Sequence, residues 1–157
     1  MARRTPLIVG IVSDTHGLLR PEAVAALRGV SHILHAGDVG APEILDALRA
    51  LAPVTAVRGN IDTGAWALSL PETTQVQLGD ARIYLLHDAH RLAFDPAEDG
   101  LDVVVSGHTH IARNERRGGG VLFFNPGSAG PRRFDYPITL GRLRIVGRRV
   151  EARVLTL

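Results

Sequence analysis

The stretch Leu7-Ile-Val-Gly-Ile-Val-Ser-Asp-Thr-His16 joins a short apolar run to a polar exit. A β-branched run of this kind without polar alternation is typical of a strand that is buried on both faces of a sheet. Polar residues directly after such a strand lie at the carboxyl edge of the sheet, where open α/β folds form their sites. The stretch therefore predicts an α/β fold with Asp14 and His16 at a functional edge.

Helix and strand signals alternate after this stretch. The pattern predicts helices over Pro21–Arg28 and Pro42–Leu51, and strands over His32–Ala36 and Val54–Val57. Proline stands at the first position of each helix, which helices tolerate, and Gly29 ends the first one. Three strands with two intervening helices indicate a parallel sheet with right-handed crossovers.

The second half of the chain is richer in strands. Strands are predicted over Gln75–Leu78, Arg82–Leu86, Val103–Ser106, Val121–Phe124, Thr139–Val146 and Glu151–Leu155. Short glycine turns at Gly79 and Gly147 indicate hairpins, and Gly118–Gly120 is predicted to be a loop. With 157 residues and no linker, we expect a single domain over residues 1–157.

Composition excludes several classes of function. The chain has no cysteine, so disulfides, thiolate metal sites and thiol nucleophiles are absent. The net charge is only +2 and the basic residues are all arginine, so the basic pI does not indicate a nucleic-acid partner. No segment is apolar enough for a membrane span, and Met1–Thr5 lacks the features of a signal peptide, so we expect a cytoplasmic protein without a membrane partner.

Metal-capable side chains recur at the ends of five predicted strands. They are Asp14, His16, Asp38, Asn60, His87, His108 and His110. Two residues at i and i+2 on a strand exit point to one side, so the Asp14/His16 and His108/His110 pairs can each face one pocket. Oxygen and imidazole donors without thiolate suit Mn, Fe, Zn or Ni.

This ordered set resembles the calcineurin-like metallophosphoesterase superfamily, specifically its small single-domain phosphodiesterases from bacteria and archaea. The matching segments are Ser13–His16, Gly37–Asp38, Gly59–Asp62, His87, Gly107–His110 and Asn125–Ser128. The resemblance implies a sandwich of two mixed β-sheets flanked by helices, an αββα arrangement. It also implies two divalent metal ions at the carboxyl edge of the sheets, with Mn expected first and Ni, Fe or Zn as alternatives.

The resemblance further implies a ligand set for each metal. The first metal would be held by Asp14, His16, Asp38 and His110, and the second by Asp38, Asn60, His87 and His108. Asp38 would bridge the two ions, and Asp38, Asn60 and His108 would take part in catalysis. The implied reaction is hydrolysis of a small phosphodiester or nucleotide by attack of a metal-bound hydroxide.

Two other functions stay open. The same family includes phosphomonoesterases, and the retromer subunit with this fold is a protein-binding scaffold without a competent site. Retention of all seven ligand types favours an enzyme over a scaffold. The natural substrate and the oligomeric state, including a homo-oligomer, cannot be read from the sequence.

The chain departs from the family pattern at two positions. Ile61 stands where many relatives have a histidine after the Gly-Asn pair, so leaving-group protonation is unassigned. Asp88 replaces a glycine in the segment from His87 to His90, which makes His90 an alternative ligand to His87.

The remaining basic and histidine residues have simpler interpretations. His32 and His35 are interpreted as ordinary core or edge histidines. Arg132 and Arg133 either contact substrate phosphate or belong to a solvated loop. Arg113, Arg116 and Arg117 lack interleaved aromatic residues and are interpreted as a solvated strand face rather than a nucleic-acid platform.

Overall fold

Ten β-strands form two five-stranded sheets in the computed structural model, which describes residues 5–157. The strands are β1 Leu7–Val12, β2 His32–His35, β3 Val54–Ala56, β4 Thr73–Leu78, β5 Ala81–Leu86, β6 Val103–Val105, β7 Arg113–Arg116, β8 Leu122–Asn125, β9 Thr139–Val146 and β10 Arg149–Thr156. The α-helices are α1 Pro21–Leu27 and α2 Pro42–Arg49.

The first sheet has the strand order β10-β9-β1-β2-β3. β1, β2 and β3 are parallel, with Val9 opposite His32 and Ile33 opposite Val54. The predicted strand–helix units and their parallel sheet are therefore confirmed. Each helix ends one or two residues earlier than predicted, at Leu27 and Arg49.

The second sheet has the order β4-β5-β6-β8-β7. β5, β6 and β8 are parallel, and the edge strands β4 and β7 are antiparallel to their neighbours. β7 consists of Arg113–Arg116 and has no apolar alternation, so it was not among the strands predicted from apolar pattern, although its arginines were interpreted as a solvated strand face. It forms because its backbone pairs with β8, while its charged side chains lie in solvent.

Three apolar layers hold the sheets and helices together. One lies between the two sheets and includes Ile11, Leu34, Ile83, Val105 and Phe124. A second layer packs α1 and α2 against the first sheet. The outer face of the second sheet is covered by a 3₁₀ turn, Ala89–Arg91, and the loop after it, with Leu92 and Ala97 against the sheet. The predicted two-sheet sandwich is confirmed, although α-helices flank only its first sheet.

Within residues 5–157, neither α-helix has the length and apolar character that crossing a lipid bilayer requires. The expectation about a signal peptide concerns mainly Met1–Arg4, which lie outside the described residues.

The ends of five parallel strands meet at one edge of the sandwich. β1, β2 and β3 of the first sheet and β5 and β6 of the second all end there. The loops are joined across this edge by backbone hydrogen bonds, including Asp14 N to Gly37 O at 3.0 Å and Gly107 N to His87 O at 2.9 Å. This edge carries all seven predicted ligands.

Candidate metal centre

The backbone at the edge adopts an uncommon conformation. Among residues 5–157, six non-glycine residues have positive φ, and five of them are predicted ligands: Asp14, His16, Asp38, His108 and His110. Their φ values run from 47° to 72°, in the left-handed region, which costs roughly 1–3 kcal/mol at a strained non-glycine position. Glycine would relieve this strain but would remove the side chain, so these positions are set by side-chain chemistry.

The predicted geometric reason for ligand pairing was wrong. Asp14 and His16 follow the last residue of β1, and His108 and His110 follow the last residue of β6. They lie in left-handed turns rather than on an extended strand, so the two-residue strand period does not orient them. His110 faces Asp14, whereas the ring of His108 lies beside that of His87, with centroids 5.1 Å apart.

Two glycines let the loops approach the carboxylates closely. A Cβ on Gly59 would overlap the side chain and amide of Asp38, and one on Gly107 would overlap Ser13 Oγ. At both positions the neighbouring loop lies so close that there is no room for a side chain.

The first group of ligand atoms surrounds Asp14. Asp14 Oδ1 lies 3.2 Å from His110 Nε2 and 3.7 Å from His16 Nε2, and the two Nε2 atoms are 3.3 Å apart. Asp14 Oδ2 accepts hydrogen bonds from Ser13 Oγ at 2.6 Å and from the amide of His108 at 3.1 Å. Oδ1 is buried and accepts no hydrogen bond from a described residue.

The second group surrounds Asp38 and His87. His87 Nε2 lies 3.2 Å from Asp38 Oδ2 and 3.0 Å from Asn60 Oδ1. Asp38 Oδ2 is also 3.6 Å from His16 Nε2, so this oxygen lies between the two groups. Asp14 Oδ1 is 4.0 Å from His87 Nε2 and is likewise close to both.

The tautomer of His87 follows from its contacts. Its Nδ1 is 2.7 Å from the carbonyl oxygen of Ala36, which can only accept, so Nδ1 carries the hydrogen. In the neutral ring Nε2 then presents a lone pair toward the Asp38 and Asn60 oxygens. This is the arrangement by which a backbone carbonyl orients a metal-binding histidine.

The carboxylates of the site are ionised. Burial raises the pKa of Asp14, but the His110, His16 and Ser13 side chains outweigh it and hold that pKa far below its ordinary value. Burial likewise opposes ionisation of Asp38, while the contact with His87 lowers its pKa. Burial is the largest single influence on His87 and lowers its pKa, but Asp38, Asp14 and the Ala36 carbonyl together raise that pKa above its ordinary value. Negative charge and imidazole lone pairs thus converge on one edge.

These residues fit divalent cations. The buried, unpartnered Asp14 Oδ1 points at two imidazole nitrogens, and His87 Nε2 faces two oxygens that cannot donate to it. Such lone pairs are mutually repulsive unless a proton or a cation lies among them. Carboxylate, amide and imidazole donors without thiolate match the expected Mn, Fe, Zn or Ni.

A buried histidine connects the two carboxylate loops. His35 is fully buried; its Nδ1 accepts from the amide of Gly37 at 3.1 Å, and its Nε2 contacts Thr15 Oγ1 at 3.0 Å. Thr15 Oγ1 donates to Val39 O at 2.8 Å, so it accepts from His35 Nε2. Burial lowers the pKa of His35 to about 4, which keeps the ring neutral. His35 is a core histidine, as interpreted from the sequence, and it also ties Thr15 to Gly37.

Other parts of the recognised motifs brace the same loops. Asp62 is buried and accepts from the amides of Val39, Gly40 and Gly59 at 2.9–3.1 Å. Ser128 Oγ donates to Asp14 O at 3.1 Å, and Asn125 Nδ2 donates to Gly107 O at 2.9 Å. Both segments belong to the family motifs, but their local sequence does not indicate this bracing role. Only tertiary contacts reveal that role.

Within residues 5–157, neither the alternative histidine nor the arginine groups contact these ligand atoms. The His90 side chain is 87% exposed and contacts Asp88 Oδ1 at 3.3 Å. Arg132 and Arg133 are exposed, and the guanidinium of Arg132 donates to Tyr136 O in its own loop. Arg113 on β7 and Arg117 directly after it contact Glu115 and lie over the ring of Phe123, which agrees with a solvated strand face.

Comparisons with known proteins agree with this geometry. Residues 7–148 match the calcineurin-like phosphoesterase superfamily domain. The chain is 36% identical to a probable metallophosphoesterase from Methanothermobacter thermautotrophicus, covering 95% of this chain and 92% of the relative. It is 33% identical to the phosphodiesterase YfcE of Escherichia coli, covering 83% of this chain and 84% of that protein.

Solved structures share the whole fold. Vacuolar protein sorting 29 from Cryptosporidium parvum matches with a TM-score of 0.82 and 25% identity, covering 97% of this chain and 92% of that one. An archaeal phosphodiesterase matches with a TM-score of 0.79 and 26% identity, covering 95% of this chain and all of the other. The two-sheet architecture is therefore shared with both an enzyme and a sorting protein.

Replacing His87 should remove one metal, whereas replacing His90 should not. His87 Nε2 faces Asp38 and Asn60, while His90 is exposed and lies outside both groups of ligand atoms. We expect His87→Ala to lower the Mn²⁺ stoichiometry in calorimetric titration and His90→Ala to bind as the wild type does. The reverse result would show that Asp88 has changed which histidine binds.

Breaking the His35 bridge should weaken metal binding by roughly 10–100-fold, as is typical for residues that orient ligands. Thr15→Val removes the hydrogen bond to His35 with little change in volume, and His35→Phe removes both bonds. His32→Ala is the matched control, because His32 lies on the same strand and its side chain contacts Thr55 instead of Thr15 or Gly37. Wild-type Mn²⁺ affinity in folded Thr15→Val and His35→Phe would contradict the positioning role.

Proposed function

The chain belongs to the calcineurin-like phosphoesterase superfamily, and on that premise we propose that it is a phosphodiesterase that depends on two divalent metal ions. Two similar proteins support the choice of reaction. A relative that is 33% identical to the chain is a phosphodiesterase, and the archaeal structural neighbour is one as well. The enzyme proposed is cytoplasmic, and its substrate is a small phosphodiester or nucleotide.

One observation carries this proposal. Within residues 5–157, Asp14 Oδ1 is a buried carboxylate oxygen without a hydrogen-bond donor, and it lies among imidazole nitrogens. A carboxylate oxygen of Asp38 belongs to the same cluster of ligand atoms, all within 4.8 Å of one another. A purely structural pair of aspartates would be satisfied by amides or hydroxyls. An unsatisfied acceptor beside ionised carboxylate and imidazole groups is what a cation-dependent hydrolase requires.

In this proposal each metal has four protein ligands. Asp14, His16, Asp38 and His110 hold the first ion, and Asp38, Asn60, His87 and His108 hold the second. Asp38 serves both, which agrees with Asp38 Oδ2 lying near both His16 and His87. Bound divalent ions supply a water activated for attack near neutral pH and positive charge opposite the phosphoryl oxygens. Mn²⁺ is the ion proposed first, with Ni, Fe and Zn as alternatives.

Side chains beside the metal centre can contact the substrate and its leaving group. Asn60 and His108 are exposed at the edge and line a cavity beside it, so their side chains can reach a bound phosphoryl group. The amide of Ile61 donates to Asp38 Oδ1 at 3.1 Å and leaves Oδ2 directed at the imidazoles. The apolar Ile61 side chain is 42% exposed and offers no proton to a leaving group.

A protein-binding scaffold is the second candidate, and the observation in its favour is the likeness to vacuolar protein sorting 29. A scaffold does not require unsatisfied acceptors among imidazoles. The two candidates are separated by hydrolysis of bis(4-nitrophenyl) phosphate with Mn²⁺, with and without a chelator. Absence of chelator-sensitive turnover by the metal-loaded protein would favour the scaffold.

Asp38→Asn should reduce metal content and activity more than Asn60→Ala does, because Asp38 alone is assigned to both ions. Metal content per chain and the rate on bis(4-nitrophenyl) phosphate are the measurements. Asp46→Asn is the matched control, since Asp46 lies on α2 and pairs only with Arg49. Full occupancy of both metals and full activity in Asp38→Asn would disprove the bridge.

Turnover should favour diesters over monoesters and depend steeply on leaving-group pKa. A diester carries one negative charge, which suits cations partly neutralised by two aspartates, and a monoester carries nearly two. No histidine at Ile61 protonates the leaving oxygen, and such help is typically worth about 10²–10⁴ in rate. Rates would be measured on bis-aryl and mono-aryl phosphates with one leaving group, and then on a diester series of rising leaving-group pKa. Faster monoester turnover, or a flat series with chemistry rate-limiting, would contradict this prediction.

A further inference from the structure

A cavity of about 300 Å³ opens directly beside the predicted second metal site. Asn60, His87 and His108 form its side toward the metal centre, and Arg58 and Arg91 also line it. A diester whose phosphorus lies at the metal centre has two ester groups, and one of them can extend into this cavity. The lining residues therefore bear on which ester group the protein accepts.

Arg91 is the first group that favours an anion. It ends the 3₁₀ turn Ala89–Arg91, it is exposed, and its guanidinium forms no ion pair with any residue that the structure describes. A guanidinium carries a permanent positive charge and presents paired donors that match phosphate oxygens. Arg91 is therefore able to bind a phosphate without first breaking an internal contact.

Arg58 is a second guanidinium in the same cavity. It contacts Glu72 Oε1 at 3.4 Å, but the Glu72 side chain is 77% exposed. An exposed pair of this kind contributes little, and a bidentate contact with phosphate is stronger. The backbone of Arg58 is fixed by the hydrogen bond from its amide to Pro71 O at 2.8 Å, so the side chain projects from a fixed point.

Two carboxylates, Glu72 and Asp88, also line the cavity, and their negative charge would oppose binding of an anion. Glu72 is the exposed partner of Arg58. Asp88 Oδ1 accepts from the amide of His90 at 3.0 Å and lies 3.3 Å from His90 Nδ1, so it is engaged outside the metal centre. Neither carboxylate pairs with Arg91.

The lining also excludes base stacking as the main source of recognition. It contains no Phe, Tyr or Trp, and its apolar contribution comes from Leu86. Without an aromatic platform, a nucleobase gains little in this cavity. Charge and hydrogen bonding are the interactions that it offers.

We propose that this cavity binds a second phosphoryl group of the substrate through Arg58 and Arg91, so that the substrate is a phosphodiester that also carries a phosphate monoester. A terminal phosphate has nearly two negative charges, which two guanidinium groups can match. This inference rests on the proposed function, because the cavity is useful only next to a centre that cleaves the diester.

The test compares two substrates that differ only in the second phosphate. Thymidine 5′-(4-nitrophenyl phosphate) and its 3′-phosphorylated form release the same 4-nitrophenolate when water adds to the 5′ phosphorus. We expect kcat/KM to be at least about 10-fold higher for the 3′-phosphorylated substrate, the change expected from a hydrogen bond to a charged group. Arg91→Gln and Arg58→Gln should bring this ratio toward one, whereas Arg49→Gln, on the exposed face of α2, should preserve it.

The outcomes separate this inference from the proposed function. A wild-type ratio near one, with both substrates hydrolysed, would overturn the inference and leave the phosphodiesterase in place. If neither substrate is hydrolysed, the proposed function fails, and calorimetry with thymidine 3′,5′-bisphosphate and thymidine 5′-monophosphate then tests the cavity alone. Tighter binding of the bisphosphate that is lost in Arg91→Gln supports the cavity, and equal binding of both nucleotides overturns it.

Discussion

Two ionised carboxylates held close together at the edge of a sandwich are the constraint on which the rest of this structure depends. Asp14 Oδ1, Asp38 and His87 Nε2 present ligand atoms within 4.8 Å of one another. At that distance two negative charges repel by about 3 kcal/mol even at an effective dielectric constant near 20. Hydrogen bonds and imidazoles nonetheless hold the pKa of both carboxyls below its ordinary value. The fold therefore maintains a concentration of negative charge that only nearby positive charge relieves.

The loops are joined in a way that withstands this repulsion. The amides of Asp14 and His16 donate to the carbonyls of Gly37 and Asp38, each at 3.0 Å, so one loop hydrogen-bonds along the other. Behind them, His35 and Asp62 connect the same loops through fully or nearly fully buried contacts. Left-handed backbone at the ligands is the consequence, because the side chains must converge while the backbones remain paired.

Sequence patterns predicted the regular parts of the fold and the residue types of the site, and each success has a physical cause. Buried strands such as β1 and β6 are uniformly apolar, and polar residues follow them directly, so their ends are visible in the sequence. β7 was anticipated only as a solvated face of arginines and not as a bounded strand, because a solvated edge strand has no apolar period. The turn at Ala89–Arg91 was not predicted, because three residues carry too little pattern. The left-handed turns at the ligands, and the roles of Asp62 and Ser128, depend on contacts between distant segments and could not be predicted from local sequence. The extent of the single domain and the identity of the metal ligands stay predictions.

The fold by itself does not decide between hydrolysis and protein binding, since it is shared with a phosphodiesterase and with a sorting protein. What separates these functions is local: an acceptor without a donor, such as Asp14 Oδ1, has a use in metal binding and none in a passive surface. The same reasoning applies to substrate choice. In the proposed reaction the centre would contact only the phosphoryl group that all phosphodiesters share, so discrimination would have to come from side chains around it. In this molecule such side chains include Arg58 and Arg91, which line the cavity beside the centre and lie on irregular segments outside both sheets.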